Sequence, residues 1–134
     1  MLLRDLQGML AGLYDAPAEH DVRDFLVTDA AHAAALQGAS GAPPTDEQLL
    51  VVEDGEGIAV SLYVDRAVLE RLAERCPLRW LSDENLADYC TALEGVSHFH
   101  YLVWSAVRAR HVSLLELELQ AEVDKYASVL SLLL

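Results

Sequence analysis

The sequence predicts an α+β fold that is mostly helical, with about five helices and one central β-hairpin in the order α-α-β-β-α-α-α. Three observations predict it. Leu and Ala supply 44 of the 134 residues, which favours helices. Apolar residues recur at helical spacing in both halves of the chain. Between these segments, Ile58, Val60, Leu62 and Val64 alternate with less apolar residues, as in a half-buried strand.

Two helices are predicted before residue 38. Leu3, Leu6 and Leu10 form an apolar stripe on the first helix. The run Asp15-Ala16-Pro17 ends that helix and starts the second, because Asp caps helix N-termini and Pro fits a first turn. The second helix is expected to continue through Phe25 and Leu26 and to stop at Gln37-Gly38.

A run rich in Gly and Pro, Gly38–Pro44, follows this helical pair and reads as a linker. Neither side of it looks large enough to fold well alone. We therefore expect one domain over residues 1–134, made of the helical pair 1–37, the linker 38–44, and the hairpin with three helices over 45–134.

The hairpin is predicted from Asp54-Gly55, a sequence that favours a two-residue turn. Such a turn pairs Glu53 with Glu56, Val51 with Ile58, and Leu49 with Val60, which places the apolar partners on one face. The alternative is a longer loop that includes Glu56-Gly57. The segment Leu78–Leu81 is ambiguous and could add a third strand.

Three helices are predicted after the hairpin. Asp65 caps the first, which spans Arg66–Arg75 and ends before Pro77. The next follows Ser82 and is apolar around much of its circumference, which is typical of a central helix. Gly95 in its interior indicates close packing against another element. Ser113 with Glu116 forms a capping box for the last helix. Its apolar stripe is predicted to be Leu115, Leu119, Val123 or Glu122, Tyr126, Leu130 and Leu133.

Composition excludes several classes of protein. Acidic residues outnumber basic ones by 22 to 9, a net charge of −13, so neither nucleic acid nor an anionic membrane is an expected partner. No apolar run approaches the length that spans a bilayer. Cys76 and Cys90 are expected to be reduced thiols in a cytoplasmic protein, since no secretory signal is recognisable. No catalytic motif is found, so the sequence favours a non-enzymatic role.

One group of residues resembles a metal or small-ligand site. Cys90, Glu94 and His98 are spaced by four residues on one helix, and His100 lies close by in the sequence. Thiolate, carboxylate and imidazole all bind zinc, so zinc or another divalent metal is the cofactor that this pattern allows. The plainer interpretation of His100 is a buried histidine with a hydrogen-bond partner. We interpret the four acidic residues of the last helix as a solvated face. They are Glu116, Glu118, Glu122 and Asp124.

The C-terminus carries the second candidate site. A monomer seldom exposes a large apolar cluster, and a two-stranded hairpin needs cover. The sequence therefore favours an accessory, adaptor or assembly protein that binds a protein partner or forms a homodimer. An acidic DNA mimic is a further alternative. The predicted interface residues are Leu130, Leu132, Leu133, Leu134, Leu49, Leu50 and Val52.

Overall fold

The structure is a computed structural model that describes residues 2–17, 19–37, 45–55 and 57–134. Within these residues five α-helices accompany a small mixed sheet, which confirms the predicted α+β, mostly helical class. The predicted linker 38–44 lies outside the described residues. The helices are α1 (Leu2–Tyr14), α2 (Ala30–Gln37), α3 (Arg66–Glu74), α4 (Leu86–Val107) and α5 (Leu114–Leu133). The strands are β1 (Leu26–Val27), β2 (Glu47–Asp54) and β3 (Gly57–Val64).

The predicted second helix is wrong over its first half. Residues Val22–Phe25 form a short 3₁₀ turn, and β1 follows it directly. Leu26 of β1 pairs in parallel with Leu62 of β3. This pairing joins residues far apart in the chain, so local helical periodicity could not reveal it. Only α2 remains of the predicted helix.

The hairpin forms, but its register differs from the predicted one. Val51 pairs with Val60 rather than with Ile58, and Glu53 pairs with Ile58. Glu53 thus lies opposite an apolar residue, and its predicted partner Glu56 lies outside the described residues. Since the shift is by two residues, each side chain keeps its predicted face.

The ambiguous segment Leu78–Leu81 is not a strand. The backbone N–H groups of Arg79 and Trp80 both donate to the carbonyl of Cys76, which closes a turn. The buried side chain of Asn85 then donates to the carbonyls of Arg75 and Trp80. Because these backbone groups already have hydrogen-bond partners, the segment forms a turn that leads into α4.

Helix α4 lies at the centre of the domain, as predicted. It packs on α1, α3, α5 and the sheet, and most of its residues from Tyr89 to His100 are buried. Gly95 faces β3, where a methyl group in place of its hydrogen would lie 3.1 Å from Leu62 Cδ1 and 3.5 Å from Glu47 Oε2. The predicted close approach at Gly95 is confirmed. Around α4, the main core includes Leu3, Leu6, Leu10, Val22, Leu62, Val64, Val68 and Leu72.

Helix α5 begins at the predicted capping box, where Ser113 Oγ accepts from the backbone N–H of Glu116. Its predicted apolar stripe faces outward. Leu115, Leu119, Val123 and Tyr126 are all exposed, and so are Leu130 and Leu133 further along. The buried residues of α5 are instead small or polar, namely Ala121, Asp124 and Ser128.

Two glycine substitutions test the packing of α4. Gly8 of α1 is exposed with open space around it, so Gly8→Ala is expected to stabilise the protein by about 0.5–1 kcal/mol through backbone entropy. Gly95→Val is expected to destabilise it by about 1–3 kcal/mol, because its side chain meets Leu62. Urea unfolding of both variants measures the difference. A Gly95→Val protein as stable as the wild type contradicts the close approach.

Candidate functional site

A carboxylate–histidine cluster lies where β2, α4 and α5 meet. Glu94 and His98 are one turn apart on α4, with Glu94 Oε1 3.8 Å from His98 Nε2. Glu118 of α5 approaches the same nitrogen at 3.7 Å. Glu47, at the start of β2, completes the group, and ligand atoms of Glu47, Glu94 and His98 all lie within 4.8 Å of one another. These are side chains that hold metal ions in proteins.

The electrostatics of this cluster are unfavourable for its carboxylates. Burial raises the pKa of Glu47 to about 7, and the nearby charges of Glu94 and Glu118 act in the same direction. Lys125 acts against them, but its Nζ lies 2.7 Å from Glu122 and 3.9 Å from Glu94. Among the described residues, Glu47 Oε2 is buried without a hydrogen-bond partner. The fold therefore buries a carboxylate whose charged form is destabilised by its surroundings.

The other two predicted ligands lie apart from this group. Cys90 is half-buried and is not among the converging ligand atoms; burial raises the pKa of its thiol. His100 lines a different cavity, on another side of α4. Burial lowers the pKa of His100, and its Nε2 has no partner within the described part of the chain. The expected hydrogen-bond partner of His100 is therefore not found at that nitrogen.

The cavity beside His100 has a volume of about 250 Å³. Tyr14, Tyr101 and Trp104 contribute aromatic walls, and Ser97 and Asp124 contribute polar groups. Aromatic walls with a few polar groups are typical of a small-ligand pocket.

Asp124 is the hub of the polar network in this cavity and is only 3% exposed. Its Oδ1 accepts from the Tyr14 hydroxyl at 2.5 Å and from Gln120 Nε2 at 2.9 Å. Its Oδ2 accepts from the Ser97 hydroxyl at 2.5 Å. Burial and the hydrogen bond to Asp124 raise the pKa of Tyr14 to about 12, which keeps that hydroxyl a donor. Ser97 is thus paired with a carboxylate rather than with an imidazole base.

Sequence reasoning missed Glu47, Tyr14 and the role of Asp124. The sequence predicts that Asp124 lies on a solvated acidic face, but the residue is buried. The available signal was its spacing with Ala121 and Ser128, which puts three small or polar residues on one helix face. For Glu47 no local signal exists, since only the strand register brings it to α4.

The exposed side of α5 is the third candidate. We define the α5 outer face as seven side chains that share about 100° of the helix circumference. Each is between 41% and 97% exposed. They are Leu115, Leu119, Val123, Tyr126, Leu130, Leu133 and Leu134.

The predicted interface residues divide between exposed and buried positions. Leu130, Leu133 and Leu134 lie on the α5 outer face. Leu132 is partly buried and packs against the main core, as Leu49 does. Val52 is half-exposed, whereas Leu50 is 7% exposed among Val27, Ala33 and Tyr63.

Comparisons with protein-family models, with curated proteins and with solved structures found no match for this chain. No helix within the described ranges combines the length and apolarity needed to cross a membrane.

Removing the acceptor at Asp124 tests the buried network. Asp124→Ala leaves the hydroxyls of Ser97 and Tyr14 without their acceptor, so we expect a loss of about 2–3 kcal/mol in the free energy of unfolding. Urea unfolding gives the value. The control Glu70→Ala removes an exposed carboxylate and is expected to change stability by less than about 0.5 kcal/mol. Equal effects of the two substitutions count against the network.

The pKa of Glu47 predicts how stability changes with pH in metal-free protein kept in EDTA. Between pH 4.5 and about 7 the folded state retains a proton that the unfolded state has lost, so stability falls as pH rises through this range. Glu47→Gln removes this dependence and is expected to stabilise the protein by about 2–3 kcal/mol at pH 8. The two proteins should be equally stable at pH 4. Unfolding curves that differ by the same amount at every pH contradict the shift.

Proposed function

We propose that this protein is a non-enzymatic protein-interaction module that acts through the α5 outer face. One observation carries the proposal: seven apolar side chains on one face of α5 are exposed over a helix about 30 Å long. Contiguous exposed apolar surface of this kind marks interaction sites in monomeric units.

The energetics support an interface of modest affinity. Burying the rest of a half-exposed Leu, Val or Tyr gains about 1 kcal/mol, so the seven side chains gain about 7 kcal/mol. Association costs about 4–15 kcal/mol in lost freedom and ordering. The α5 outer face alone therefore supports weak association, which further contacts would strengthen.

We propose a second copy of the chain as the occupant. The apolar side chains recur at intervals of three and four residues, the spacing by which two helices interlock. Every charged residue of α5 lies before Tyr126, and residues 126–134 carry no charged side chain. An antiparallel pair places the acidic half of each helix against the uncharged half of the other, which avoids repulsion between two acidic chains.

We also propose that the protein works in the cytoplasm. Cys76 and Cys90 are both free thiols, as expected for a cytoplasmic protein in a reducing compartment. The acidic DNA-mimic alternative stays a prediction, since it requires carboxylates aligned at phosphate-like spacing.

A double substitution tests the dimer. Sedimentation of the wild type is expected to show dimers that dissociate into monomers on dilution. Leu119→Ser combined with Tyr126→Ser is expected to give monomers at all concentrations, because both side chains belong to the α5 outer face. The control Trp80→Ser removes a side chain that is 77% exposed outside α5 and should behave as wild type. A wild type that is monomeric at every concentration refutes self-association and leaves a different protein as the partner.

A further inference from the structure

The Glu47–Glu94–His98 cluster is independent of the α5 outer face and has the dimensions of a metal site. One strand and two successive turns of α4 contribute its ligand atoms, which lie within 4.8 Å of one another. Two ligands about 2.1 Å from one ion are at most about 4.2 Å apart. Small side-chain rotations therefore bring these atoms to coordinating distance. Glu47 lies close to α4, since a methyl group at Gly95 would be 3.5 Å from its Oε2.

His98 separates this cluster from an ordinary patch of acidic residues. The residue is only 7% exposed, and its Nδ1 is buried without a partner in the described part of the chain. Its Nε2 faces Glu94 and Glu118 at 3.8 and 3.7 Å, which is beyond hydrogen-bond distance. A buried polar group without a partner costs about 1–3 kcal/mol. An ion between these side chains gives a ligand contact to His98 Nε2 and a partner to Glu47 Oε2, which is also buried without one among the described residues.

The charge of the cluster requires a cation. Glu47, Glu94 and Glu118 bring three carboxylates to one imidazole. Over the ranges that the structure describes, Lys125 is the single base within 4 Å of them, and it lies closer to Glu122. Even with Lys125 counted, the formal charge of this group is about −2, which a divalent cation balances. Burial raises the pKa of Glu47 to about 7, and the nearby charges of Glu94 and Glu118 act in the same direction.

We propose that Glu47, Glu94 and His98 bind one divalent first-row transition metal ion, with Glu118 placed to complete the coordination. An imidazole with carboxylates suits ions such as Zn²⁺ or Co²⁺, whereas Mg²⁺ and Ca²⁺ prefer oxygen ligands alone. This proposal differs from the sequence hypothesis, since Glu47 takes the place of Cys90 as the third ligand.

Zn²⁺ titration of the full chain after EDTA treatment tests the proposal. Calorimetry is expected to show one ion bound per chain, and Co²⁺ is expected to give a visible absorption band from the same site. Glu47→Gln and His98→Asn should each weaken Zn²⁺ binding at least tenfold. Glu47→Gln is informative even if His98→Asn fails to fold, since it removes an unpartnered buried carboxylate oxygen.

Two matched controls define the site. Cys90→Ser and His32→Asn should bind Zn²⁺ as the wild type does, because Cys90 is outside the converging group and His32 is exposed on α2. The monomeric Leu119→Ser/Tyr126→Ser protein should also bind unchanged, so the failure of either proposal leaves the other intact. Wild-type protein that binds no Zn²⁺ overturns the metal site. Binding that survives Glu47→Gln but is lost in Cys90→Ser overturns it in favour of the helix-face group.

Discussion

The rest of the structure depends on the burial of the middle of α4, from Tyr89 to His100, which packs closely on the sheet at Gly95. A side chain at that position would collide with Leu62, so glycine sets the distance between the helix and the sheet. With the sheet on one side and α1, α3 and α5 on the others, α4 has little contact with water. A buried polar side chain on this part of α4 is therefore stabilised only where it finds a partner inside the protein.

This requirement explains which side of α5 faces inward. Ser97 of α4 donates to Asp124, and Tyr89 of α4 contacts Ser128, so the groups that α5 presents inward are those that α4 needs. A leucine in place of Asp124 would leave the Ser97 hydroxyl buried and unpaired, at a cost comparable to what burying that leucine gains. Most leucines of α5 are consequently left on the outside.

The parts of the fold that local chemistry controls were predictable. The α4 interior, the close packing at Gly95, the Asp65 cap and the Ser113 capping box follow from residues near one another in the chain. The errors all concern partners distant in the sequence. β1 exists only because β3 pairs with it, and the hairpin register satisfies contacts that turn preference does not encode.

The candidate metal site also contains residues that the sequence could predict and one that it could not. Glu94 and His98 were predictable because helical spacing places them on one face. Glu47 was not, because only the β2–β3 pairing and the packing of the sheet on Gly95 bring it to α4. Cys90 shares that helix face with Glu94 and His98, but it is not in the group of ligand atoms that converge with Glu47. Helical spacing alone therefore predicts a ligand that the structure does not place in this group.

The residues on the inner face of α5 determine what a partner on the outer face would add to the stability of the helix. Val129 and Leu132 pack partly against the core, but the fully buried residues of α5 are small or polar, so polar contacts hold part of α5 in place. Net hydrogen bonds contribute only about 0.5–1.5 kcal/mol each, less than a well-buried leucine. A partner on the α5 outer face would add to the limited hydrophobic burial of the inner face. Association and the stability of α5 are therefore coupled, because any partner that binds only the folded helix stabilises it by mass action.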